Sequence, residues 1–290
     1  MFFLEFISFG EWMKELVASA QTDKGHLREV NEDTVWAEVH YTNNNKPIGL
    51  FIICDGMGGH MGGRFASYWA TEAIKRVFSD VFFSEDPRKT FILKQEKKTK
   101  KKIVENDVRE LNFSDLETLV LLAINRANKV VYEFAQHKPD EAGDAGTTIS
   151  MLVIYDDQAI IANVGDSRTY LIRDQKLEQV SKDHSLVARL VANGQILPDE
   201  IYTHPYRNII FRYIGQKDLE KVDIFHRKLQ SGDFFLLCSD GLWEMLPSDE
   251  KIVGIIMSTK DTKQACKKLI EAANMAGGED NIGVVVGYLK

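Results

Sequence analysis

Four short acidic segments of this sequence each stand beside an apolar run, where their carboxylates could meet. They are Asn31-Glu32-Asp33, Asp55-Gly56, Ser239-Asp240-Gly241 and Glu279-Asp280-Asn281. Short runs rich in Ile, Val and Phe are typical of buried strands, so these carboxylates would project from strand ends at one edge of a layered sheet. Crowded carboxylates repel each other unless a counter-charge lies between them, and Mg²⁺ or Mn²⁺ prefers such oxygen ligands. The pattern therefore predicts a divalent-cation site.

Each of these residues also has a simpler interpretation by itself. An Asp-Gly pair such as Asp55-Gly56 is usually only a turn, and 279–281 could be a polar loop. The occurrence of all four acidic segments beside predicted strands favours a metal site. At Gly56 the backbone carbonyl could approach an ion closely, because glycine has no Cβ in the way. Asp166, within a Gly-Asp-Ser-Arg segment, is either part of a hairpin turn or a further ligand. Arg28 is either a surface charge or, beside a metal pair, a bidentate phosphate clamp.

The elements that must position these residues follow from periodicity and turn chemistry. The predicted strands are residues 49–54, 147–155, 159–164, 169–172, 234–238 and 282–289. Turn residues at 156–157 and 165–167 predict that the neighbouring runs pair antiparallel. Apolar periodicity and capping residues predict helices at 63–80, from Ser114 onward, at 248–257 with Ser248 as N-cap, and at 262–275. Helices that alternate with antiparallel strand pairs favour a layered structure with sheet in the middle.

Composition narrows the class of protein. The 290 residues carry a net charge of -7 and 44% hydrophobic residues, which indicates a single soluble globular domain and argues against a nucleic-acid binder. Its three cysteines form no CxxC pair, so no disulfide framework is expected and a reducing cytoplasm is favoured.

Two segments are expected to lie outside the catalytic machinery. Residues 1–18 are apolar but interrupted by Glu5, Glu11 and Lys14, so we expect an N-terminal extension packed on the domain rather than a membrane span. A contact with a membrane surface or a partner is the alternative. The lysine-rich run 94–102 is read as a solvated connection, with a docking patch for an acidic partner as the alternative.

Six motifs in one order carry a resemblance to a known family. They are residues 28–33 (Arg-x-x-Asn-Glu-Asp), 55–60 (Asp-Gly-Met-Gly-Gly-His), 146–148 (Gly-Thr-Thr), 165–168 (Gly-Asp-Ser-Arg), 239–243 (Ser-Asp-Gly-Leu-Trp) and 279–281 (Glu-Asp-Asn). Together they resemble the metal-dependent protein phosphatases of the PPM (type-2C) family, in its bacterial style, from about residue 21 to residue 289. The resemblance implies an α+β fold, a four-layer α-β-β-α sandwich of two antiparallel sheets flanked by helices. The phosphatase domain would span 19–290.

The resemblance also implies roles for single residues. It implies that two Mn²⁺ or Mg²⁺ ions are held by Asp55 as the bridging ligand, Gly56 through its carbonyl, Asp240 and Asp280, with Asp33 at or just behind the first ion and Asp166 holding a third, weaker ion. Arg28 would bind the substrate phosphate. A hydroxide bridging the metals would then attack phosphorus in line, hydrolysing phosphoserine and phosphothreonine monoesters on proteins.

One departure from the family concerns the proton donor. Many eukaryotic members have a histidine two residues after the bridging aspartate, where this chain has Met57. His60 is the candidate proton donor here, with metal-bound water as the alternative. Residues 181–215 match the family's flap, a variable segment beside the active site that we expect to shape substrate choice.

Two other functions are weighed against an active phosphatase. A catalytically dead domain of the same family could act as a binding or sensing module, but it should have lost a metal aspartate or the phosphate arginine. A metal-dependent phosphodiesterase or nuclease would use similar chemistry, yet the acidic charge argues against it. We expect a cytoplasmic monomer that acts on phosphorylated proteins opposite a Ser/Thr kinase, with no nucleic acid and no membrane span.

Overall fold

Two antiparallel β-sheets stacked face to face form the centre of the molecule. A computed structural model of the chain describes residues 14–42, 44–58, 61–83, 113–219, 221–259 and 261–290. The strands in chain order are β1 Leu16–Asp23, β2 Asp33–Tyr41, β3 Pro47–Met57, β4 Gly146–Thr147, β5 Ile149–Tyr155, β6 Gln158–Val164, β7 Arg168–Arg173, β8 Lys176–Gln179, β9 Asp223–Lys228, β10 Phe234–Cys238 and β11 Ile282–Leu289. One sheet has the order β1-β11-β10-β7-β8, the other has the order β2-β3-β5-β6-β9, and β4 pairs with β3.

Helices cover the outer face of each sheet. In chain order the helices of the described residues are α1 Gly62–Phe83, α2 Phe113–His137, α3 Pro139–Ala142, α4 Leu186–Ala192, α5 Asp240–Trp243, α6 Asp249–Met257 and α7 Thr262–Met275, with a 3₁₀ helix at Pro198–Tyr202. Helices α1 and α2 pack on the β3–β5–β6 sheet, and α5, α6 and α7 pack on the β10–β11 sheet. The predicted N-cap of α6 is confirmed, because the Ser248 hydroxyl accepts a hydrogen bond from the Lys251 N–H.

The layer between the two sheets is mainly apolar, with one buried hydrogen bond across it between the Ser150 and Thr169 hydroxyls at 2.7 Å. Phe51 of β3 and Phe235 of β10 meet there with ring centroids 4.6 Å apart, among aliphatic side chains from both sheets. Strands buried on both faces read as continuous apolar runs, which is why β3 and β5 lack alternation in the sequence. The predicted four-layer α-β-β-α sandwich is confirmed.

The prediction that the turn at residues 165–167 joins two antiparallel neighbours is wrong. The turn at 156–157 does join an antiparallel pair, β5 and β6, and Asp156 has a positive φ of 59°. By contrast β6 pairs with β9, whereas β7 pairs with β8 and β10 in the other sheet. Residues 165–167 therefore carry the chain from one sheet to the other, because the outer faces of β6 and β7 are buried under different helices.

The N-terminal part of the described chain is an edge strand. Strand β1 begins at Leu16, which pairs with Leu289 of β11, so residues 16–18 already belong to a sheet. The division into an extension at 1–18 and a domain at 19–290 stays a prediction, and residues 1–13 and 94–102 lie outside the described residues. Among those that are described, no helix is both long enough and apolar enough to cross a membrane.

Candidate metal centre

Asp33 and Asp55 stand side by side at one end of a sheet. Asp33 is the first residue of β2, and its register partner in β3 is Asp55. Five fully buried residues, from Leu50 to Cys54, precede Asp55 and hold it in place. The apolar run therefore fixes the position of the carboxylate that follows it.

The other sheet brings Asp240 and Asp280 to the same end of the sandwich. Asp240 opens α5 two residues after β10, and Asp280 stands two residues before β11. Strands β10 and β11 are antiparallel neighbours, so the end of one lies beside the start of the other. The two sheets are tied together here, because the Ser239 hydroxyl donates a hydrogen bond to Asp33 Oδ2 over 2.7 Å.

A cavity of about 360 Å³ lies where these segments meet. Its walls include Arg28, Glu32, Asp55, Gly56, Thr148, Asp166, Asn208, Ile210, Asp240 and Asp280. Asp33 lines a neighbouring groove of about 770 Å³ instead. The structure therefore brings the predicted ligands together, with Asp33 set back from the others.

The carboxylates raise one another's pKa. Burial raises the pKa of Asp33 to about 8, and the charges of Asp240 and Asp280 add to the effect. Loss of solvation, followed by repulsion from Asp240 and Asp33, raises the pKa of Asp55 well above its ordinary value. Burial and repulsion from Asp240 do the same for Asp166. Such a cluster needs positive charge if all its members are to ionise together near neutral pH.

Three buried carboxylate oxygens here have no hydrogen-bond partner within the described residues. They are Glu32 Oε1, Asp33 Oδ1 and Asp240 Oδ1. Buried polar atoms are normally satisfied, so unpaired carboxylate oxygens beside a polar cavity fit a site for hard cations. No three His, Cys, Asp or Glu side chains of the described chain form a ready-made cation cage. Backbone carbonyls and water are the further oxygen ligands that such cations accept.

Gly56 is held too tightly for any side chain. A Cβ at this position would lie 2.1 Å from the carbonyl oxygen of Gly63 and 2.8 Å from that of Glu32. Its N–H donates to the Glu32 carbonyl over 3.2 Å. The segment after Asp55 is therefore pressed against the start of α1, which keeps the Gly56 backbone at the cavity wall.

Arg28 lies on the cavity wall and is paired with one of the predicted ligands. Its Nη2 donates to Asp280 Oδ2 over 2.6 Å, while half of the side chain remains exposed. The hydrogen bond to Asp280 raises the pKa of the guanidinium, against the effect of burial, and the charges of Asp240 and Asp55 contribute as well. The arginine thus brings positive charge to the acidic cluster.

Comparison with known proteins places this geometry in a family. Residues 28–274 match the family described as protein phosphatase 2C. The chain belongs to this family. The serine/threonine phosphatase stp of Listeria monocytogenes is 35% identical over 269 residues, 93% of this chain and 94% of the relative. Protein phosphatase PhpP of Streptococcus pneumoniae is 36% identical over 269 residues, 92% of this chain and 95% of the relative.

A solved structure adds a link to metal. The catalytic domain of the serine/threonine protein phosphatase PstP, in complex with two manganese ions, matches with a TM-score of 0.74 at 29% identity. The match covers 95% of this chain and 99% of that one. The predicted membership of the PPM (type-2C) family is confirmed, and with it the assignment to the metal-dependent protein serine/threonine phosphatases.

Three further residues of this phosphatase support the site although the sequence pattern assigned them no role. The Thr148 hydroxyl accepts the Asp55 N–H at 3.0 Å. The Asn281 amide accepts the Glu32 N–H at 2.8 Å and donates to the Lys24 carbonyl at 2.9 Å. Ser239, described above, completes the set. All three stand inside the motifs named in the sequence analysis. Their place in those motifs, beside the predicted ligands, was the signal that could have identified them.

The predicted flap, 181–215, borders the cavity of the phosphatase. It contains α4, whose N-cap is Ser185, and the 3₁₀ helix. Asn208 and Ile210 bring the returning part of the flap to the cavity wall. His60 lies outside the described residues, so its role as proton donor stays a prediction.

Proposed function

We propose that this chain hydrolyses phosphoserine and phosphothreonine monoesters on proteins in the cavity between Arg28 and the aspartates. The observation that carries the proposal is the convergence of aspartates from both sheets, with buried unpaired oxygens, beside an exposed arginine. Membership of the protein phosphatase 2C family supports the same reaction.

The aspartates would hold the metal cofactors. Asp55 would bridge two divalent cations, Mn²⁺ or Mg²⁺, with Gly56 contributing its carbonyl, and Asp240 and Asp280 would bind one of them. When bound, such cations lower the pKa of water and neutralise negative charge on the phosphoryl group. Asp33 would support the site from behind, and Asp166 with Asp240 would take a third, weaker ion.

Arg28 would orient the substrate. A guanidinium offers two parallel N–H donors to phosphate oxygens, and its charge favours the dianion of a phosphate monoester. Because Arg28 is half exposed and hydrogen-bonded to Asp280, it can meet an entering phosphate without leaving the cavity wall. Arg28 and the aspartates would then hold the phosphoryl group between them.

The biological setting follows from the chemistry. Phosphorylated proteins are the substrates, so we infer that a Ser/Thr kinase makes the modification which this enzyme removes. The sparse cysteines, all three free and buried, suit a reducing cytoplasm. We further propose that the chain acts as a monomer.

The test is a metal-dependent assay with matched variants. Wild-type protein should hydrolyse p-nitrophenyl phosphate and a phosphothreonine peptide with Mn²⁺, and EDTA should abolish both activities. Asp55→Asn and Asp240→Asn should each reduce turnover at least roughly a hundredfold, because each removes a charged ligand. Asp199→Asn, an exposed aspartate in the 3₁₀ helix, is the control and should retain activity.

Binding provides a second readout that does not depend on turnover. Mn²⁺ should raise the melting temperature of wild type and of Asp199→Asn, since a ligand that binds only the folded state stabilises it. The rise should be smaller for Asp55→Asn. Full activity in EDTA, or wild-type metal stabilisation of Asp55→Asn, would contradict the proposal. Faster cleavage of a bis-ester than of the monoesters would instead favour a phosphodiesterase.

A further inference from the structure

Asn208 is a polar side chain of the cavity wall that the proposed chemistry does not use. It lines the cavity together with Arg28, Asp55 and Asp280. The side chain is exposed. Unlike Arg28, which is paired with Asp280, the Asn208 amide makes no hydrogen bond with any residue that the structure describes.

The residues on both sides of Asn208 are anchored, Arg207 through its side chain and Ile209 through its backbone. Arg207 Nε lies 3.2 Å from Glu244 Oε2, and Arg207 Nη2 lies 3.7 Å from Glu279 Oε2. On the other side, the Ile209 carbonyl accepts the Leu186 N–H at the start of α4 over 2.8 Å. Asn208 is therefore a free amide held at a fixed place on the cavity wall.

The chemistry of an amide suits one part of the substrate. The anionic phosphoryl oxygens are best served by Arg28 and the cations. An asparagine amide both donates and accepts, as does a peptide group, so it can pair with the peptide backbone on either side of a phosphorylated residue. Such a contact is available to a phosphoprotein and is missing from a small aryl phosphate.

We infer that Asn208 hydrogen-bonds the peptide backbone of the substrate next to the phosphorylated residue, and so favours phosphoproteins over small phosphate monoesters. This inference rests on the proposed function, since it takes the reaction in this cavity as given. It makes Asn208 a specificity-determining residue of the flap. The loss of one such hydrogen bond corresponds to roughly three- to tenfold in kcat/KM.

The experiment compares two substrates on matched variants with Mn²⁺ present. Asn208→Ala should lower kcat/KM for a phosphothreonine peptide about three- to tenfold, mainly through KM. Its kcat/KM for p-nitrophenyl phosphate, and its inhibition constant for inorganic phosphate, should stay within about twofold of wild type. The control is Asn193→Ala, an exposed asparagine at the end of α4 in the same flap, which should change neither substrate.

Other outcomes overturn the inference. Equal losses on both substrates would place Asn208 at the phosphoryl group or the metals, and no loss on the peptide would leave it without a contact. If Asn208→Ala has a lower melting temperature than wild type, Asn208→Ser is used instead, because it also lacks the amide and serine is common in loops. The same two substrates and the same criteria then apply. Failure of the proposed function looks different, since wild type would then hydrolyse neither substrate.

Discussion

Arg28 and Asp280, separated by 252 positions in the chain, form an ion pair across 2.6 Å at the rim of the acidic cavity. The pair joins the loop before β2 to the loop before β11, and so links the two sheets at the site. It also brings a cation to carboxylates that repel one another. Arg28 therefore serves the resting site as a counter-charge and is proposed to serve the substrate as a phosphate clamp.

Replacing Arg28 should weaken phosphate recognition. Hydrogen bonds to charged groups contribute about 1.5–3 kcal/mol, so Arg28→Ala should lower kcat/KM for p-nitrophenyl phosphate roughly ten- to hundredfold. Arg28→Lys should recover little, because lysine cannot offer two parallel donors. Steady-state kinetics with Mn²⁺ measure both. Arg76→Ala, an exposed arginine of α1, is the control, and an effect of similar size there would refute a specific role for Arg28.

Ser239 should matter for stability as well as for the site. Its buried hydroxyl donates to Asp33 and accepts the Gly283 N–H over 2.8 Å. Ser239→Ala leaves both groups unpaired, so the free energy of unfolding should fall by about 1–3 kcal/mol in urea titrations with EDTA. Ser79→Ala on α1 removes a less buried hydroxyl and should change the free energy by under about 0.5 kcal/mol. Equal losses would argue against a special role for Ser239.

Arg168 holds the crossing between the sheets through a buried ion pair. Its guanidinium donates to Asp183 over 2.7 Å and stacks 3.6 Å from the Trp243 ring centroid. Arg168→Met leaves Asp183 uncompensated, and the free energy of unfolding should drop by about 3–5 kcal/mol.

A second substitution separates two contributions to the free energy of unfolding, the unpaired charge of Asp183 and the lost packing of Arg168. Adding Asp183→Leu to Arg168→Met should restore part of the lost free energy, since no unpaired charge then remains. Arg227→Met breaks an exposed pair with Glu178 and should cost under about 1 kcal/mol. Urea unfolding measures all four proteins. A small loss for Arg168→Met alone would mean that water replaces the arginine.

His184 should make stability depend on pH. Its Nδ1 accepts the Gly165 N–H over 3.1 Å, and its ring also faces Arg212, Asp223 and Asp183. Burial and the Arg212 charge lower the pKa of His184, although Asp223 and Asp183 oppose the shift. The folded state then binds a proton less readily than the unfolded chain does.

The sign of the effect follows from linkage. The contribution of His184 is fully present above its ordinary pKa near 6.5 and is lost as pH falls towards the lower folded value. The difference in unfolding free energy between wild type and His184→Gln should therefore shrink as pH drops from 7.5 to 5.5. Urea titrations in EDTA at several pH values test this. A difference that is constant or grows at low pH would contradict it.

Much of the local structure could be predicted because it depends on neighbouring residues. The bounds of β10, β11 and α7 agree with the runs 234–238, 282–289 and 262–275. Continuous Ile, Val and Phe indicate a strand buried on both faces, and a helix shows its period of 3.6. The carboxylates that follow or precede such strands, Asp55 and Asp280, are located by the same local signal.

Pairing between distant segments could not be predicted in this way. The turn residues at 165–167 look the same whether the chain folds back as a hairpin or crosses to another sheet, because the choice depends on which layer buries β7. The approach of Asn208 to the cavity depends on ion pairs of Arg207 with residues of other loops. Local chemistry does not contain that information.

The sequence by itself determined the family, the strand ends and the set of acidic residues, since these depend on motif order and on the periods of neighbouring side chains. Tertiary structure alone decided which of them meet. It placed Asp33 beside Asp55, paired Arg28 with Asp280, and tied the sheets through Ser239. The physical reason is that burying both faces of two sheets selects one arrangement of the strands, and that arrangement brings remote charges together.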